Sequence, residues 1–354
     1  MPAVNRRATS PRGGPKPPTI LDVAALAGVS KSTVSNVIRG VDGVSPGVRE
    51  RVAAAVEQLG YRPNTVARQL VSRRTNVIGV LAGSLDNPFH GEMATRVVRA
   101  ASRFGFTAVF YDIEGGEGAA AAGIESLLEQ RVAGIVFQAI FGSAAAIRSA
   151  VDGQVPVVFV GLRADWADSV AVDDAGATRA ATEHLIELGH RRVACLTTPG
   201  VERTTADARA AGYRAAMRAA GLPPRPLLRW DPESDRVRSG RRAGSLEAEL
   251  LDPAGPTAVV CSNDLGAIAL LDFADRLRIG VPDRLSVVGF DDVHLAGLAR
   301  ISLTTVAQPL DEMARLGVET IFSRIRGEAT GPPRDITPRA ELVVRGSTAP
   351  PVQG

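Results

Sequence analysis

The chain has 354 residues, enough for two or three domains with a large core. Aromatic residues make up only 4% of it, so the core is predicted to be aliphatic. The net charge is +3 but unevenly spread: up to residue 76, Lys and Arg exceed Asp and Glu by eight, and beyond it the acidic residues are in excess by five. A cationic head on an anionic body is typical of nucleic-acid binding, although a merely solvated basic face has the same composition.

Several classes of protein are disfavoured by what the sequence lacks. Residues 1–18, which contain prolines, glycines and arginines, are predicted to form a disordered basic tail. They have no apolar stretch of the kind that a secretory signal needs, so they are not predicted to be one. No apolar run reaches the length of a membrane span. Cys195 and Cys261 end apolar runs and are expected to be buried, reduced thiols of a cytoplasmic protein. The four histidines form no metal-spaced pair, and phosphate-binding and nucleophile motifs are missing, so we predict no metal, no cofactor and no enzymatic activity.

The first ordered stretch predicts a pair of short helices joined by a tight turn. Leu21 to Ala27 is a helical run, and Gly28 follows where the turn needs a positive φ. Ser30 can cap the next helix, Lys31 to Ile38, by accepting a backbone N–H. This second helix is predicted to bury Val34, Val37 and Ile38 and to expose Lys31, Ser32, Ser35 and Asn36. A capped helix with a polar outer face after a glycine turn is the helix-turn-helix arrangement that enters the DNA major groove.

Two more helical segments complete this region. Ser45 and Pro46 are predicted to be the N-cap and first residue of a third helix, which Gly60 ends. A short helix over residues 64–71 then follows a proline. Because an isolated helix of this length is marginal in water, we expect it to need a partner.

From Val77 onward, strand-like apolar runs alternate with helical segments. This alternation predicts parallel sheets with helices on both faces, and two consecutive series indicate two doubly wound lobes. Ligands of such folds bind outside the carboxyl ends of the strands. The loops at those ends are rich in Asn, Asp and Arg, which suit hydroxyl-rich or otherwise polar small molecules.

Several motifs resemble one known family. TILDVAALAGVSKSTVS, VSPGVRERVAAAVEQLGYRPN and VARQL closely resemble the DNA-binding head and hinge of the lac repressor/galactose repressor (LacI/GalR) family of bacterial transcription regulators. SLDNPFHGEM, RAAGYRAAM, SND and SVVGFDDVHLAGLARISLTTVAQPLDEMARLG are similar to signatures of its regulatory core. The resemblance implies an α/β fold: a helix-turn-helix head and a hinge helix, followed by a two-lobed periplasmic-binding-protein-like core of doubly wound parallel sheets.

The expected domain boundaries follow from the motifs. The head is assigned to residues 19–63, the hinge helix and linker to 64–76, and the core to 77–346. By resemblance the chain crosses between lobes more than once, so lobe one takes about 77–174 plus 310–333 and lobe two about 175–305 plus 336–346. Residues 347–354 are assigned to a tail.

The resemblance also assigns residues that contact DNA. Base reading falls to Lys31, Ser32 and Asn36. Contacts with the DNA backbone fall to Thr19, Ser30, Thr33, Ser35, Tyr61 and Asn64. Lysine can donate to guanine and asparagine suits adenine. Asn36 replaces an arginine common in the family, so an operator half-site that departs from the usual one is expected.

In the hinge, the resemblance implies that Ala67, Arg68 and Leu70 reach the minor groove. Leu70 would be an apolar wedge that unstacks a base step, with packing of Leu70 on the core as the alternative. Since one head reads few base pairs, we expect a homodimer on a pseudo-palindromic operator. The C-terminus has no leucine heptad, so no tetramer is predicted.

For the effector, the resemblance assigns the cleft residues Asn87, Phe89, Arg209, Asn263 and Asp291. Arg209 stands four residues before Tyr213 in the family's R-x-x-G-Y pattern, with a structural salt bridge as the alternative. Asn87 and Asp291 suit capping or turn roles nearly as well as ligand contact.

Three other positions bear on the ligand. Trp166 or Trp230 could stack on a sugar ring, although a lone tryptophan more often packs in a core. Gly161 lies where the family commonly has an aspartate after the strand, which weakens the assignment of a sugar.

The sequence therefore predicts a ligand-responsive repressor of a metabolic operon, with carbohydrate metabolism expected. Its predicted partners are double-stranded operator DNA, a small-molecule effector (a sugar or another polar metabolite) and a second copy of the chain, in the cytoplasm and without a membrane. An exported solute-binding protein would share the core but has no use for a helix-turn-helix. An architectural DNA-binding protein would not need a two-lobed cleft.

Overall fold

The structure is a computed structural model that describes residues 18–38, 40–61, 75–113, 116–140, 144–198, 203–231 and 244–352. The chain divides into two compact units, one up to Arg74 and the other from Thr75. The predictions for residues 1–17 and for Asn64, Ala67, Arg68 and Leu70 lie outside the described residues.

The first unit contains the three predicted helices: α1 (Ile20–Ala27), α2 (Lys31–Ile38) and α3 (Pro46–Leu59). Gly28 ends α1 with φ 64°, and Gly60 ends α3 with φ 58°, as the predicted turns require. Pro46 opens α3, but the side chain of Ser45 makes no capping hydrogen bond there. The missing N–H of proline leaves one donor fewer to cap.

A small apolar core holds these helices together. Val23 on α1, Val34 on α2 and Val52 on α3 are almost completely buried and belong to one cluster. Only Val34 of α2 is fully buried, while Val37 and Ile38 are half-buried against the same cluster. The outer face of α2 also differs from the prediction, because Ser35 and Asn36 are half-buried rather than exposed. A helix of eight residues is too short to separate its faces fully.

The second unit is built on two six-stranded sheets. Their strands are β1 (Val77–Ala82), β2 (Thr107–Asp112), β3 (Ile135–Phe137), β4 (Val157–Val160), β5 (Asp168–Val170), β6 (Val193–Thr197), β7 (Leu228–Arg229), β8 (Ala258–Cys261), β9 (Ser286–Asp291), β10 (Thr304–Ala307), β11 (Asp335–Ile336) and β12 (Glu341–Val343). The helices between them are α4 (Pro88–Arg103), α5 (Glu117–Glu129), α6 (Ala144–Val151), α7 (Asp174–Glu187), α8 (Arg203–Ala219), α9 (Gly244–Leu251), α10 (Asp264–Arg276) and α11 (Leu310–Ile325).

The two sheets are the centres of the two lobes. The first has the order β11-β5-β4-β3-β1-β2 and is entirely parallel. The second has the order β12-β10-β9-β8-β6-β7 and is parallel except for β12, which runs antiparallel to β10. Strand β8 is buried along its whole length and β1 at every residue after Val77, which is consistent with their continuous apolar sequences. The α/β prediction is confirmed.

The chain leaves the first lobe slightly later than the sequence predicts. Ile336 pairs with Val170, so the first lobe extends to a residue that the sequence assigns to the second. A strand of two residues has too little pattern to be recognised from sequence. Ser347, expected at the start of a tail, is instead buried, and its hydroxyl donates to the carbonyl of Val287 at 2.6 Å.

Candidate functional site

The N-terminal end of α2 is organised by Ser30. Its Oγ accepts the backbone N–H of Thr33 at 3.1 Å, which confirms the predicted cap. The same Oγ lies 2.7 Å from the hydroxyl of Ser32 and 2.8 Å from that of Thr33. Lys31 and Ser32 are exposed beside it, and α2 has no acidic residue in its first turn. This end of the helix therefore combines polar side chains with a positive charge, as a DNA-contacting surface requires.

Two of the residues assigned to the DNA backbone also have a role in the fold. Thr19 caps α1: its Oγ1 accepts the N–H of Asp22, and its own backbone N–H donates to the Asp22 carboxylate at 2.7 Å. Tyr61 is 9% exposed and packs in the core of the head. DNA contact by Thr19 and Tyr61 stays a prediction.

In the second unit, Arg209 of α8 is the centre of a buried polar network. Its Nε donates to Asp174 Oδ1 at 2.7 Å, its Nη1 donates to the Ser262 carbonyl, and Nη1 lies 3.8 Å from Asp291 Oδ1. The guanidinium carbon lies 3.5 Å from the centroid of the Phe290 ring. The structural salt bridge that the sequence left as an alternative is therefore present. This salt bridge is compatible with a ligand-binding role for Arg209, because it holds the guanidinium in one orientation.

The carboxylates around Arg209 outnumber the cations. Burial raises the pKa of Asp291 to about 8, although Arg209 and a 2.8 Å hydrogen bond from Gln308 Nε2 oppose the rise. Burial likewise raises the pKa of Asp264 to about 6, against hydrogen bonds from Thr305 and the N–H of Val293. Asp174 is buried as well, so two buried carboxyl groups, Asp174 and Asp291, lie within 4 Å of the Arg209 guanidinium. Asp291 therefore keeps its proton at neutral pH, and a protonated carboxyl can donate a hydrogen bond.

The end of β9 has an unusual backbone. Asp291 has φ 124° and Asp292 has φ 55°, values that L-residues rarely adopt. The two carboxylates have different partners, since Asp291 accepts from Gln308 and Asp292 pairs with Arg345 at 2.6 Å. Backbone strain of this kind concentrates at functional sites.

The two asparagines assigned to the cleft are helix caps. Asn263 Oδ1 accepts the N–H of Gly266 at 2.8 Å at the start of α10, and it also accepts from the Thr198 hydroxyl at 3.1 Å. Asn87 Oδ1 accepts the N–H of Phe89 at 3.1 Å at the start of α4. Both caps follow strands and place the amides at the carboxyl edges of their sheets. Ligand contact by either residue stays a prediction.

The first lobe contributes an apolar surface at this edge. Phe89 is 8% exposed, and a Cβ added to Gly161 would lie 3.3 Å from its Cζ. The Phe89 ring therefore occupies the space beside Gly161. Trp166 packs edge-on against Phe159, and Trp230 packs against Phe273, so both tryptophans have core roles.

A direct contact joins the two lobes. Glu92 on α4 accepts from the backbone N–H of His294 at 2.9 Å and lies 2.7 Å from its Nδ1. His294 lies just beyond β9 in the second lobe, in a short 3-10 helix. The contact therefore connects α4 with the segment that carries Asp291.

Sequence reasoning missed several residues of the network. Asp174 accepts from Arg209 and Gln308 donates to Asp291, whereas Asp264 accepts from Thr305 and from the N–H of Val293; all three side chains are buried. Two positions could have indicated these residues from the sequence: Asp264 directly follows Asn263, and Gln308 directly follows β10. In the part of the chain that the structure describes, no group of three His, Cys, Asp or Glu residues could hold a metal. The described helices include none that is long and apolar enough to cross a membrane.

Comparisons with known proteins decide the family. The model of the lacI family of bacterial regulatory proteins matches residues 19–64, and that of the periplasmic binding protein-like domain matches residues 182–348. The HTH-type transcriptional regulator DegA of Bacillus subtilis is 34% identical over 341 residues, which cover 94% of this chain and 98% of DegA. The chain belongs to the LacI family. It is a transcriptional regulator and not an enzyme.

Other LacI-family proteins match over similar lengths. The ribose operon repressor of Escherichia coli K12 is 35% identical, over 87% of this chain and 93% of the repressor. A lac repressor dimer bound to operator and the anti-inducer ONPF superposes with a TM-score of 0.80 at 28% identity, covering 94% of this chain and all of that one. The CelR–cellobiose complex has a TM-score of 0.66 at 30% identity, over 93% of this chain and 99% of that chain. These matches confirm the predicted family, fold class and regulatory function.

Proposed function

We propose that this LacI-family regulator represses a metabolic operon as a homodimer on a pseudo-palindromic operator, in the cytoplasm where the DNA is. In this proposal Lys31, Ser32 and Asn36 read base edges in the major groove. Backbone contacts come from Thr19, Ser30, Thr33, Ser35, Tyr61 and Asn64, and the hinge contributes Ala67, Arg68 and Leu70. The observation that carries the proposal is the capped N-terminal end of α2, with an exposed lysine and no acidic residue in its first turn.

The proposed effector site is the carboxyl edge of the two sheets. Its residues are Asn87, Phe89, Arg209, Asn263 and Asp291. The clamped Arg209 and the strained end of β9 support a site there, because a fixed guanidinium and aligned carboxylates can hold hydroxyl groups without rearranging. The solved relatives with operator and with cellobiose support a chain that binds both kinds of partner.

The proposed mechanism couples these two sites through lobe closure. A ligand that contacts both lobes changes their relative orientation, and this changes the separation of the two hinges in the dimer. Operator affinity and effector affinity then change by the same factor, typically corresponding to about 1–3 kcal/mol. The hydrogen bond between Glu92 and His294 supports this idea, because it links the two lobes and depends on their relative orientation.

Selection of genomic DNA fragments by the purified full chain tests the function. The selection is made at near-physiological salt with excess competitor DNA, because non-specific binding is strongly salt-dependent. We expect enrichment of a pseudo-palindrome with two half-sites. Retention that is independent of sequence, with and without added metabolite pools, would contradict the proposal.

A further inference from the structure

One carboxylate joins the two lobes at a point that belongs to neither proposed binding site. Glu92 lies on α4 of the first lobe, and its Oε1 accepts the backbone N–H of His294 in the second lobe at 2.9 Å. The same oxygen lies 2.7 Å from the imidazole Nδ1 of His294. The side chain of Glu92 is 18% exposed, so it is largely shielded from water. Hydrogen bonds to an ionised acceptor are stronger than those between neutral groups, so this contact favours one relative orientation of the lobes.

The contact lies beside the proposed effector cleft on both sides. Glu92 stands three residues after Phe89, about one helical turn along α4, and His294 stands three residues after Asp291. Neither Glu92 nor His294 is itself assigned to the cleft or to DNA. A hydrogen bond is lost once its donor and acceptor are more than about 3.5 Å apart. A relative displacement of the lobes by roughly 1 Å at this point is therefore enough to break it.

The first lobe holds Glu92 in position through Arg96, one turn further along α4. Arg96 Nη1 donates to the Glu92 carbonyl at 3.1 Å and lies 3.5 Å from the Glu92 carboxylate. Its Nε lies 3.4 Å from Asp311 at the start of α11. The position of Glu92 is thus tied to two helices of the first lobe, so a movement of this carboxylate relative to His294 reports a movement of the lobe.

The second lobe holds the other partner equally firmly. The residue before His294 is Val293, whose backbone N–H donates to the buried Asp264 at 2.9 Å. One residue earlier, Asp292 pairs with Arg345 at 2.6 Å. These bonds connect residues 292–294 to α10 and to the segment after β12. Because the same stretch begins at Asp291, a shift of that cleft residue acts directly on the hydrogen bond to Glu92.

We propose that Glu92 and His294 form an interlobe latch that sets the operator affinity of the chain before any effector is bound. This inference rests on the proposed function and adds to it a control point that contacts neither DNA nor the effector. The latch favours one arrangement of the lobes, so its loss changes the ratio between the arrangements. A ratio that is changed in this way changes operator affinity by about fivefold or more.

The first test compares variants of the full chain in mobility-shift titrations with an operator obtained by selection. Glu92→Ala removes the acceptor of both bonds, and we expect operator affinity to change by about fivefold or more. His294→Ala removes only the imidazole and keeps the backbone N–H, so its effect should have the same direction and be smaller. The matched control is Glu319→Ala, because Glu319 pairs with Arg315 one helical turn away as Glu92 does with Arg96. Equal affinity of Glu92→Ala and the native chain would overturn the proposal.

The second test restores the latch by a reversible covalent link. The double variant Glu92→Cys and His294→Cys is treated with an ethylene-bridged bis-methanethiosulfonate, which joins the two thiols and is released by dithiothreitol. The native Cys195 and Cys261 are 2% and 1% exposed and are shielded from the reagent. The singly substituted Glu92→Cys chain, treated in the same way, is the control for modification alone.

We expect the linked double variant to bind the operator as the native chain does, and the reduced protein to bind as Glu92→Ala does. The same affinity before and after reduction would overturn the latch. Melting temperatures of all variants are measured in parallel, so that a loss of folding is recognised. Absence of operator binding by the native chain would instead overturn the proposed function.

Discussion

The ion pair between Arg209 and Asp174 provides the sharpest test of the cleft. Arg209→Met keeps an unbranched side chain but removes the charge, leaving Asp174 without its 2.7 Å partner and Asp291 without its nearest cation. Both members of the pair are about nine-tenths buried or more, with side chains 6% and 10% exposed. Removing one member of a buried pair typically costs about 3–5 kcal/mol. At roughly 2–4 °C for each kcal/mol, the melting temperature should fall by about 6–20 °C.

Urea unfolding of the full chain at pH 8, followed by circular dichroism, measures this loss. The matched control is Arg315→Met, since Arg315 also lies on a helix and pairs with Glu319 at 2.7 Å, but with both side chains more than 40% exposed. Such an exposed pair contributes about 0.5 kcal/mol or less. The reasoning is contradicted if Arg209→Met lowers the free energy of unfolding by no more than about 1 kcal/mol beyond the loss in the control. The ion pair with Asp174 would then not stabilise the fold.

The remaining predictions concern packing, protonation and capping. Gly212→Ala should destabilise the core by about 1–3 kcal/mol because the new Cβ would lie 2.1 Å from the Ala175 carbonyl oxygen, whereas Gly91→Ala, with its nearest atom at 3.6 Å, should gain up to about 1 kcal/mol. Equal thermal shifts would contradict this packing. Burial raises the pKa of Asp291 to about 8 from its ordinary 3.8, so the folded chain retains a proton that the unfolded chain releases, and stability should fall as pH rises from about 4 to 8. Asp291→Asn should reduce this dependence of stability on pH, measured by thermal unfolding between about pH 4 and 8. An unchanged dependence would mean that other groups cause it. Ser30→Ala should lower the stability of the head by about 1 kcal/mol and weaken operator binding in a mobility-shift titration, while a neutral result would mean that the cap is dispensable.

The head could be predicted almost completely because its signals are local. Gly28 and Ser30 act within three residues of their own positions, so a turn and a cap can be read directly from the sequence. The errors arose on the outer face of α2, where Ser35 and Asn36 are half-buried. Exposure on a short helix depends on neighbours that the helical period alone does not identify.

The sequence was enough to predict the architecture of the core, but not its buried hydrogen-bond network. Alternating apolar runs are enough to predict two parallel sheets, whereas the partner of Arg209 lies 35 residues away and that of Asp291 lies 17 away. Only the packing of α7 against α8 and of β10 beside β9 brings these groups together. The unpartnered amide of Gln138 could not be predicted at all, because a missing hydrogen bond leaves no pattern in a sequence.

Sequence-specific DNA reading by α2 is the central claim, and paired selection from random DNA duplexes tests it most directly. The full chain and its Asn36→Ala variant are each used to enrich binding sites under the same salt and competitor. We predict that the native chain enriches a two-fold motif, and that the variant relaxes the preference at one symmetric pair of positions while the spacing of the half-sites stays the same. An identical motif from both chains, or no motif from the native chain, would contradict the assignment of Asn36 and α2 to base reading.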